Sequence, residues 1–202
     1  LFDDNKSLFR IDMSEYMEKH SVSKLIGSPP GYVGYESGGM LTESIRRKPY
    51  QVILLDEIEK ADSEIFNLLL QVFDEGRLTD SQGRNVNFKN TIIIMTSNLG
   101  AEFINFSEDQ KNQIEIFTQE KIYEQIKKKF KPEFLNRIDD IIIFNRLTKK
   151  DIKEIILLQI NNLTKILQDK KIKLNLDDSA RNWLVDEGYS TDYGARPLKR
   201  VI

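Results

Sequence analysis

Cysteine is missing from the 202 residues of this chain, and histidine occurs only once. The absence of thiols excludes a disulfide framework and a thiolate metal site, and a single imidazole excludes a multi-histidine metal cluster. No apolar run approaches the roughly 18 residues that a membrane helix needs. We therefore expect no membrane partner.

Strong charge of either sign is also lacking, since the formal net charge is −2. A basic face is the usual footprint of nucleic-acid binding, so composition gives no support for such a partner. The 40% hydrophobic content is enough for one main core with a smaller second domain. Because the sequence starts at Leu1 without Met and stops within a periodic segment, we expect it to be an excised fragment.

Strands alternate with helices in the first part of the chain, which predicts an α/β sheet domain. Apolar or alternating runs predict strands at 7–11, 51–55, 84–88, 91–96 and 138–144. Helices are predicted at 41–47, at 63–75 between a cap at Asp62 or Ser63 and a stop at Gly76, and at 118–131 before Pro132. Residues 27–39 are a loop rich in glycine and proline, and 105–119 are a polar surface loop.

A second, smaller and mostly helical domain is predicted from residue 148. Thr148 and Asp151 form a capping box that opens a helix to about Lys170. A strand at 171–176, a helix at 179–187 and a last helix from Gly194 follow. The predicted domains are therefore 1–147 and 148–202.

Two adjacent carboxylates, Asp56 and Glu57, end a predicted buried strand. Strand side chains alternate in direction, so one carboxylate can hold Mg²⁺ through its water shell while the other polarises an attacking water. Asn98 follows the next apolar run and would sit beside Glu57 if the two strands are neighbours. The alternatives are a solvated acidic turn and a turn-forming Asn before Gly100.

Several blocks of sequence together resemble the second AAA+ ATPase module of the Clp protein unfoldases, of ClpC or ClpB type. They occur in family order and cover nearly the whole chain outside 101–131. The blocks are 10–39, with Arg-Ile-Asp-Met-Ser-Glu and Gly-Tyr-Val-Gly, 76–80 (Gly-Arg-Leu-Thr-Asp), 95–100 (Met-Thr-Ser-Asn-Leu-Gly), 132–139 (Pro-Glu-Phe-Leu-Asn-Arg-Ile-Asp) and 194–198 (Gly-Ala-Arg-Pro-Leu).

The resemblance implies a three-layer AAA+ large subdomain with a parallel sheet, and a small helical subdomain. It implies ATP and Mg²⁺ as cofactors, unfolded or aggregated proteins as substrates, and a homo-hexamer as the assembly of the full-length protein. Asp56 matches the Walker B aspartate that organises Mg²⁺, and Glu57 matches the glutamate that activates water. Asn98 matches sensor 1.

Arg137 matches the arginine finger, which would reach the γ-phosphate on a neighbouring subunit. Its alternative is a surface ion pair with Asp139 or Asp140. Arg196 matches sensor 2, which would contact the phosphates of its own chain. Tyr32, with Val33, matches the pore loop: a bulky amphipathic side chain on a glycine-rich loop can grip a polypeptide without reading its sequence.

The sequence departs from the family in two places. The Walker A loop should precede Leu1 and is absent, so we expect these residues alone to bind ATP poorly. Residues 23–29 and 56–60 look more like ClpC than ClpB, yet the apolar-Gly-Phe loop that docks on a Clp peptidase does not occur between Gly100 and Thr118. Both branches stay open, with a Clp peptidase as a candidate partner and the cytoplasm or a plastid stroma as the expected compartment.

Two other functions compete with protein unfolding at this point. A nucleic-acid-remodelling AAA+ motor would have basic pore loops, and residues 27–39 contain no Lys or Arg. Absence of Glu57 or Arg137 would support a module that binds ATP only to assemble a ring. Both residues are present.

Overall fold

The computed structural model describes residues 7–32, 35–104, 113–145, 147–188 and 198–201. Contacts within the chain divide it into two compact units, Leu1–Ile142 and Ile143–Ile202. Among the residues that the structure describes, every helix is too short or too polar to span a lipid bilayer.

The described strands are β1 (Leu8–Asp12), β2 (Gln51–Asp56), β3 (Arg77–Thr79), β4 (Asn85–Asn87) and β5 (Thr91–Met95). The α-helices are α1 (Val22–Ile26), α2 (Met40–Arg47), α3 (Ser63–Glu75), α4 (Gln113–Lys129), α5 (Pro132–Leu135), α6 (Lys149–Asp169), α7 (Asp178–Gly188) and α8 (Leu198–Val201). Single 3₁₀ turns lie at Met13–Tyr16, Lys19–Ser21, Tyr35–Ser37, Ile58–Lys60 and Ala101–Phe103.

A parallel sheet in the order β1-β2-β5 organises the first unit, as the alternating pattern predicts. In its register Asp12 lies opposite Asp56, and Leu55 lies opposite Met95. The carboxyl ends of the strands therefore meet at one edge, which is where ligands gather in open α/β sheets. The buried face of β2 includes Ile53 and Leu55, and polar residues begin where β2 and β5 end.

Helix α3 follows the acidic end of β2 and is bounded as predicted. Asp62 caps it by accepting a hydrogen bond from the backbone N–H of Glu64, and the N–H of Gly76 donates to Val72 at its end. Its buried face consists of Ile65, Leu68, Leu69 and Val72. Each such side chain stabilises the fold by about 1.5–3 kcal/mol, against about 1 kcal/mol for the cap, so packing rather than capping fixes the position of α3.

An antiparallel hairpin of β3 and β4 comes directly after α3. The prediction of an edge strand at 84–88 found β4, but it missed β3, which has only three residues. Leu78 and Val86 face each other across the hairpin, and both are buried in the main core. The hairpin is therefore a fixed part of the first unit.

Phenylalanines join α3 to the end of α4 and to α5. The rings of Phe130 and Phe134 meet Phe66 edge-on, with centroids 5.5 Å and 5.1 Å apart. Helix α4 begins at Gln113, earlier than the predicted residue 118, so the second half of the predicted loop 105–119 is helical, while 105–112 lies outside the described residues. Pro132 does more than stop α4, because it also opens α5.

Two predicted strands are wrong. Residues 138–144 form no strand, and Ile142 and Phe144 are exposed by 72% and 82%. The strand predicted at 171–176 is also absent, because residue 171 is in a turn and 172–176 are irregular. An apolar run becomes a strand only where a neighbour takes its backbone hydrogen bonds, and no described strand pairs with either segment.

The second unit is built on α6 and α7. The predicted capping box is present: the Thr148 hydroxyl accepts from the N–H of Asp151, and the Asp151 carboxylate accepts from the N–H of Thr148. A small core packs these helices together with α8; its buried members are Ile152, Ile156, Leu184, Val185 and Leu198. The described part of this unit is helical, as expected.

Candidate active site

Thr96, the residue after β5, holds the acidic end of β2. Its hydroxyl donates to Oδ1 of Asp56 and accepts from the backbone N–H of Glu57 at 3.2 Å. Its carbonyl accepts from the N–H of Ile58 at 3.0 Å. One residue of the neighbouring strand thus fixes three consecutive residues, and the acidic turn is a built feature rather than a solvated strand end.

Glu57 has a left-handed backbone, with φ 55° and ψ 50°. A non-glycine residue in this region costs about 1–2 kcal/mol, and such strain concentrates at functional sites. The carboxylate of Glu57, with its side chain 35% exposed, pairs with Lys60 at 2.5 Å. This hydrogen bond raises the pKa of Lys60, so the ammonium stays charged beside the carboxylate at neutral pH.

Asp56 has a second partner in β1, because Arg10 donates to its Oδ2. The two side chains are 63% and 24% exposed, so the pair contributes at most about 1 kcal/mol and can exchange its cation. Asp12 lies opposite Asp56, and hydrogen bonds from the hydroxyl and N–H of Ser14 hold the pKa of Asp12 below its usual value. Arg10, Asp12 and Thr96 were not predicted as site residues.

The strand register could have revealed these neighbours. Once β1, β2 and β5 are aligned as parallel strands, the residues that end them fall side by side. The sequence shows where each strand ends but not which strands are paired. Asn98, predicted to sit beside Glu57, lies three residues beyond the end of the adjacent strand β5 and is exposed, with its carbonyl accepting from the N–H of Ala101.

The carboxylate available at this turn suits Mg²⁺ better than a metal ion that must be surrounded by protein ligands. Mg²⁺ commonly uses one or two carboxylates and completes its shell with water and phosphate oxygens. Asp56 supplies a partly exposed carboxylate that already faces a cation, the guanidinium of Arg10. Within the described ranges, no three Asp, Glu, His or Cys side chains cluster as a metal site would require.

Arg137 lies away from the acidic turn, next to the far end of α3. Its Nε donates to the carboxylate of Asp74, whereas the alternative hypothesis predicts an ion pair with Asp139 or Asp140. Helix α3 rises about 1.5 Å per residue, so Asp74 lies roughly 18 Å along the helix from Asp62. Both side chains are nearly half exposed, at 48% and 46%, so the guanidinium can change partner at little cost.

Tyr32 projects from the loop between α1 and α2. Pro30 and Gly31 form a tight turn in which the N–H of Tyr32 donates to the carbonyl of Pro29 at 3.2 Å. Gly31 has φ 88°, which is typical of the third position in a type II turn. The Tyr32 side chain is 71% exposed, and it is therefore available for contact with another molecule. Val33 lies outside the described residues, as does Arg196.

Two family models match the chain in succession. Residues 1–141 match the AAA domain of the Cdc48 subfamily. Residues 147–202 match the C-terminal D2-small domain of the ClpB protein.

Curated relatives are similar over the whole chain. It is 59% identical to the chaperone protein ClpB of Agrobacterium fabrum and 56% identical to the chaperone protein ClpB of Prochlorococcus marinus. Both matches cover 100% of this chain, which spans 23% of the length of each relative.

Two solved structures of Hsp104 share the fold of this chain. The chain superposes with a TM-score of 0.88 and 45% identity on the closed state of Hsp104 with ATPγS and FITC-casein, covering 100% of this chain and 35% of that one. The extended conformation of the Saccharomyces cerevisiae Hsp104–casein complex gives a TM-score of 0.88 and 44% identity, with the same coverage.

Proposed function

This chain belongs to the AAA domain family (Cdc48 subfamily) as a Clp-type second module, and on that premise we propose that it is part of an ATP-driven motor that unfolds proteins. The observation that carries the proposal is the Thr96 hydroxyl, which holds the carboxylate of Asp56 and the backbone N–H of Glu57 at the carboxyl edge of a parallel sheet. Such an edge is where open α/β sheets bind nucleotides.

Asp56 is the residue proposed to hold Mg²⁺. Its Oδ1 is fixed by Thr96, while its Oδ2 faces an exposed and exchangeable cation. A bound Mg²⁺ would neutralise charge on the phosphates of ATP. Asp56 contributes a fixed negative charge at the point where that ion is needed, and Arg10 has to release this carboxylate for the ion to approach.

Glu57 is proposed as the residue that orients and polarises the attacking water. A general base must lie within hydrogen-bond reach of the proton that it accepts, and its carboxylate must be accessible. The strained backbone of Glu57 is held by Thr96, and its side chain is about one-third exposed. Lys60 keeps the carboxylate in place without burying it.

Arg137 is proposed to act on the nucleotide of a neighbouring subunit. The end of α3 holds it far along the helix from the acidic turn of its own chain. Its pairing with Asp74 is exposed, so exchange of that carboxylate for a phosphate costs little. A guanidinium that arrives in trans stabilises charge in the transition state of phosphoryl transfer. This role requires a ring, for which a homo-hexamer is the proposed form.

Unfolded polypeptide is the proposed substrate, and Tyr32 is proposed to contact it. The Tyr32 ring is exposed at the tip of a turn, and an aromatic side chain contacts backbone and apolar side chains alike. Residues 27–39 carry no positive charge, which disfavours a nucleic-acid substrate. Similarity to ClpB favours disaggregation over delivery to a peptidase. The apolar-Gly-Phe loop of ClpC-type unfoldases also does not occur between Gly100 and Thr118.

The Glu57→Gln variant of the full-length protein tests the proposal. It should bind ATP as the wild type does but hydrolyse it at least about 100-fold more slowly, because an amide is a poor proton acceptor. Glu75→Gln, at the exposed end of α3, is the matched control and should hydrolyse ATP normally. Wild-type turnover in Glu57→Gln would remove Glu57 from catalysis.

A further inference from the structure

The Tyr32 loop is tied at two points to one short turn elsewhere in the sequence. The turn, residues 80–84, joins β3 to β4. The N–H of Ser81 donates to the carbonyl of Ile26, where the loop begins, at 3.0 Å. The side-chain amide of the next residue, Gln82, donates to the carbonyl of Tyr35, three residues after Tyr32, at 2.8 Å.

The turn itself is rigid because Asp80 ties it together. The carboxylate of Asp80 is fully buried and accepts from the N–H groups of Gln82 and Arg84, both at 2.9 Å. It also accepts from Nε of Arg84 at 2.7 Å. Burial alone would raise the pKa of Asp80, but these hydrogen bonds outweigh it and hold the pKa below its usual value.

A further contact extends from the turn to the helix that follows the loop. Arg84 donates to Glu43 of α2 at 2.5 Å, and Arg46 donates to the same carboxylate at 2.8 Å. At the other end of the loop, a Cβ on Gly27 would lie 2.2 Å from Oγ of Ser81, and Gly27 has φ 99°. The turn therefore packs directly against the start of the loop and is linked to α2 beyond its end.

Tyr32 lies between these two points of attachment and keeps its side chain exposed. Its exposed fraction is 71%, and a Cβ on Gly31 would meet no atom within 4 Å. A loop held on both sides of an exposed aromatic residue can present that side chain in a defined direction. That arrangement suits a residue that must apply force to a mobile partner.

The same turn is connected to the acidic end of β2. Helix α3 begins after the acidic turn and ends at Gly76, where β3 starts, and the carbonyl of Gly76 accepts from the N–H of Phe88 beyond β4. Helix α3 is therefore tied to the hairpin, and the hairpin carries Gln82 and Arg84. Contacts between successive elements therefore connect the acidic turn at Glu57, through α3 and the hairpin, to the loop that carries Tyr32.

We propose that Gln82 and Arg84 are positioning residues for the polypeptide-gripping loop, holding the backbone just after Tyr32 and the helix α2 beyond the loop, so that Tyr32 follows movements of α3. The proposal rests on the function proposed above for Tyr32. Gln82 acts through the Tyr35 carbonyl and Arg84 through Glu43, and neither is proposed to touch nucleotide or polypeptide.

The Gln82→Met variant of the full-length protein tests this role, since methionine keeps the length of the side chain and removes the donor. Gln168→Met, on an exposed face of α6, is the matched control. Hydrogen exchange of amides in 27–39 should become about fivefold faster in Gln82→Met, the size expected for loss of one hydrogen bond. Exchange within α3 should not change.

Activity provides the second readout. With casein as the polypeptide, Gln82→Met should raise the concentration that half-stimulates ATP turnover severalfold and leave turnover without casein unchanged. Loop exchange at the wild-type rate would overturn the proposal, whatever the activity. Faster loop exchange with unchanged half-stimulation would also overturn it. If casein fails to stimulate even the wild type, the proposed function fails instead, and loop exchange still shows whether Gln82 holds the loop.

Discussion

The Thr96 hydroxyl donates to the carboxylate of Asp56, and the same oxygen accepts from the N–H of Glu57. The two catalytic candidates are thus fixed by a residue that is adjacent in the sheet but about 40 positions away in sequence. The arrangement explains how Glu57 can hold a left-handed backbone that is otherwise unfavourable.

Replacement of Thr96 by valine should impair catalysis more than folding. Valine matches the shape of threonine but leaves Asp56 and the N–H of Glu57 without their shared partner. Loss of a hydrogen bond to a charged group costs about 1.5–3 kcal/mol, so ATP turnover should fall by about tenfold or more. Steady-state turnover is the measurement. Thr164→Val removes a hydroxyl that bonds only to the helix carbonyl of Ile160, and should leave turnover unchanged.

Arg137→Ala should lower ATP turnover by about 10³-fold, the lower end of what an arginine finger contributes. Because the guanidinium is proposed to act on a neighbour, rings mixed with Glu57→Gln subunits should recover part of the activity at interfaces that combine an intact Glu57 with an intact Arg137. Turnover of mixed rings measures this. Asp74→Asn is the control: it breaks the exposed ion pair and should not slow turnover. Equal loss in both variants would make the ion pair the important feature.

Tyr32→Ala should stop polypeptide threading while ATP turnover without polypeptide continues. The side chain is 71% exposed, so the free energy of unfolding should change by no more than about 0.5 kcal/mol. Unfolding of a fluorescent substrate protein is the measurement. Tyr50→Ala removes a tyrosine that is 63% exposed and lies outside the loop, and it should thread normally. Normal unfolding by Tyr32→Ala would exclude the gripping role.

The contribution of the contact between α2 and the β3–β4 hairpin to the free energy of unfolding should depend on pH. Hydrogen bonds from Arg46 and then Arg84 lower the pKa of Glu43 from 4.5 to about 2. The ionised carboxylate therefore stabilises the fold fully above about pH 4.5, and this contribution is lost as the pH falls towards 2. The stability difference between wild type and Glu43→Gln, measured by urea unfolding, should shrink between pH 5 and pH 3. A constant difference would contradict the assigned contacts.

Local signals in the sequence were sufficient to predict the helices and strands whose end residues can be recognised in the sequence itself. Helix α3 has its cap at Asp62 and its stop at Gly76, and α6 has its capping box, so both were predicted closely. Strand β2 was recognisable because a continuous apolar run ends in two acids. The parallel sheet followed from the alternation of elements.

Features that depend on distant partners could not be predicted in this way. Residues 138–144 have the apolar content of a strand, but strand formation requires a neighbour, and Ile142 is 72% exposed. Nothing in the sequence distinguishes Thr96 from other threonines, because its contact with Asp56 depends on how the strands are aligned in the sheet. The alternative to the arginine finger was an ion pair of Arg137 with Asp139 or Asp140. Its partner within the chain is Asp74 instead, because the phenylalanine packing between α3 and α5 sets their contact.

The most direct test of the central claim is ATP turnover by the full-length protein with and without an unfolded protein such as casein. We expect ATP turnover to rise several-fold with casein, and we expect this rise to disappear in Tyr32→Ala. Turnover that is absent in an assembled ring, or that ignores casein at every concentration, would contradict the assignment of this chain to a motor that unfolds proteins.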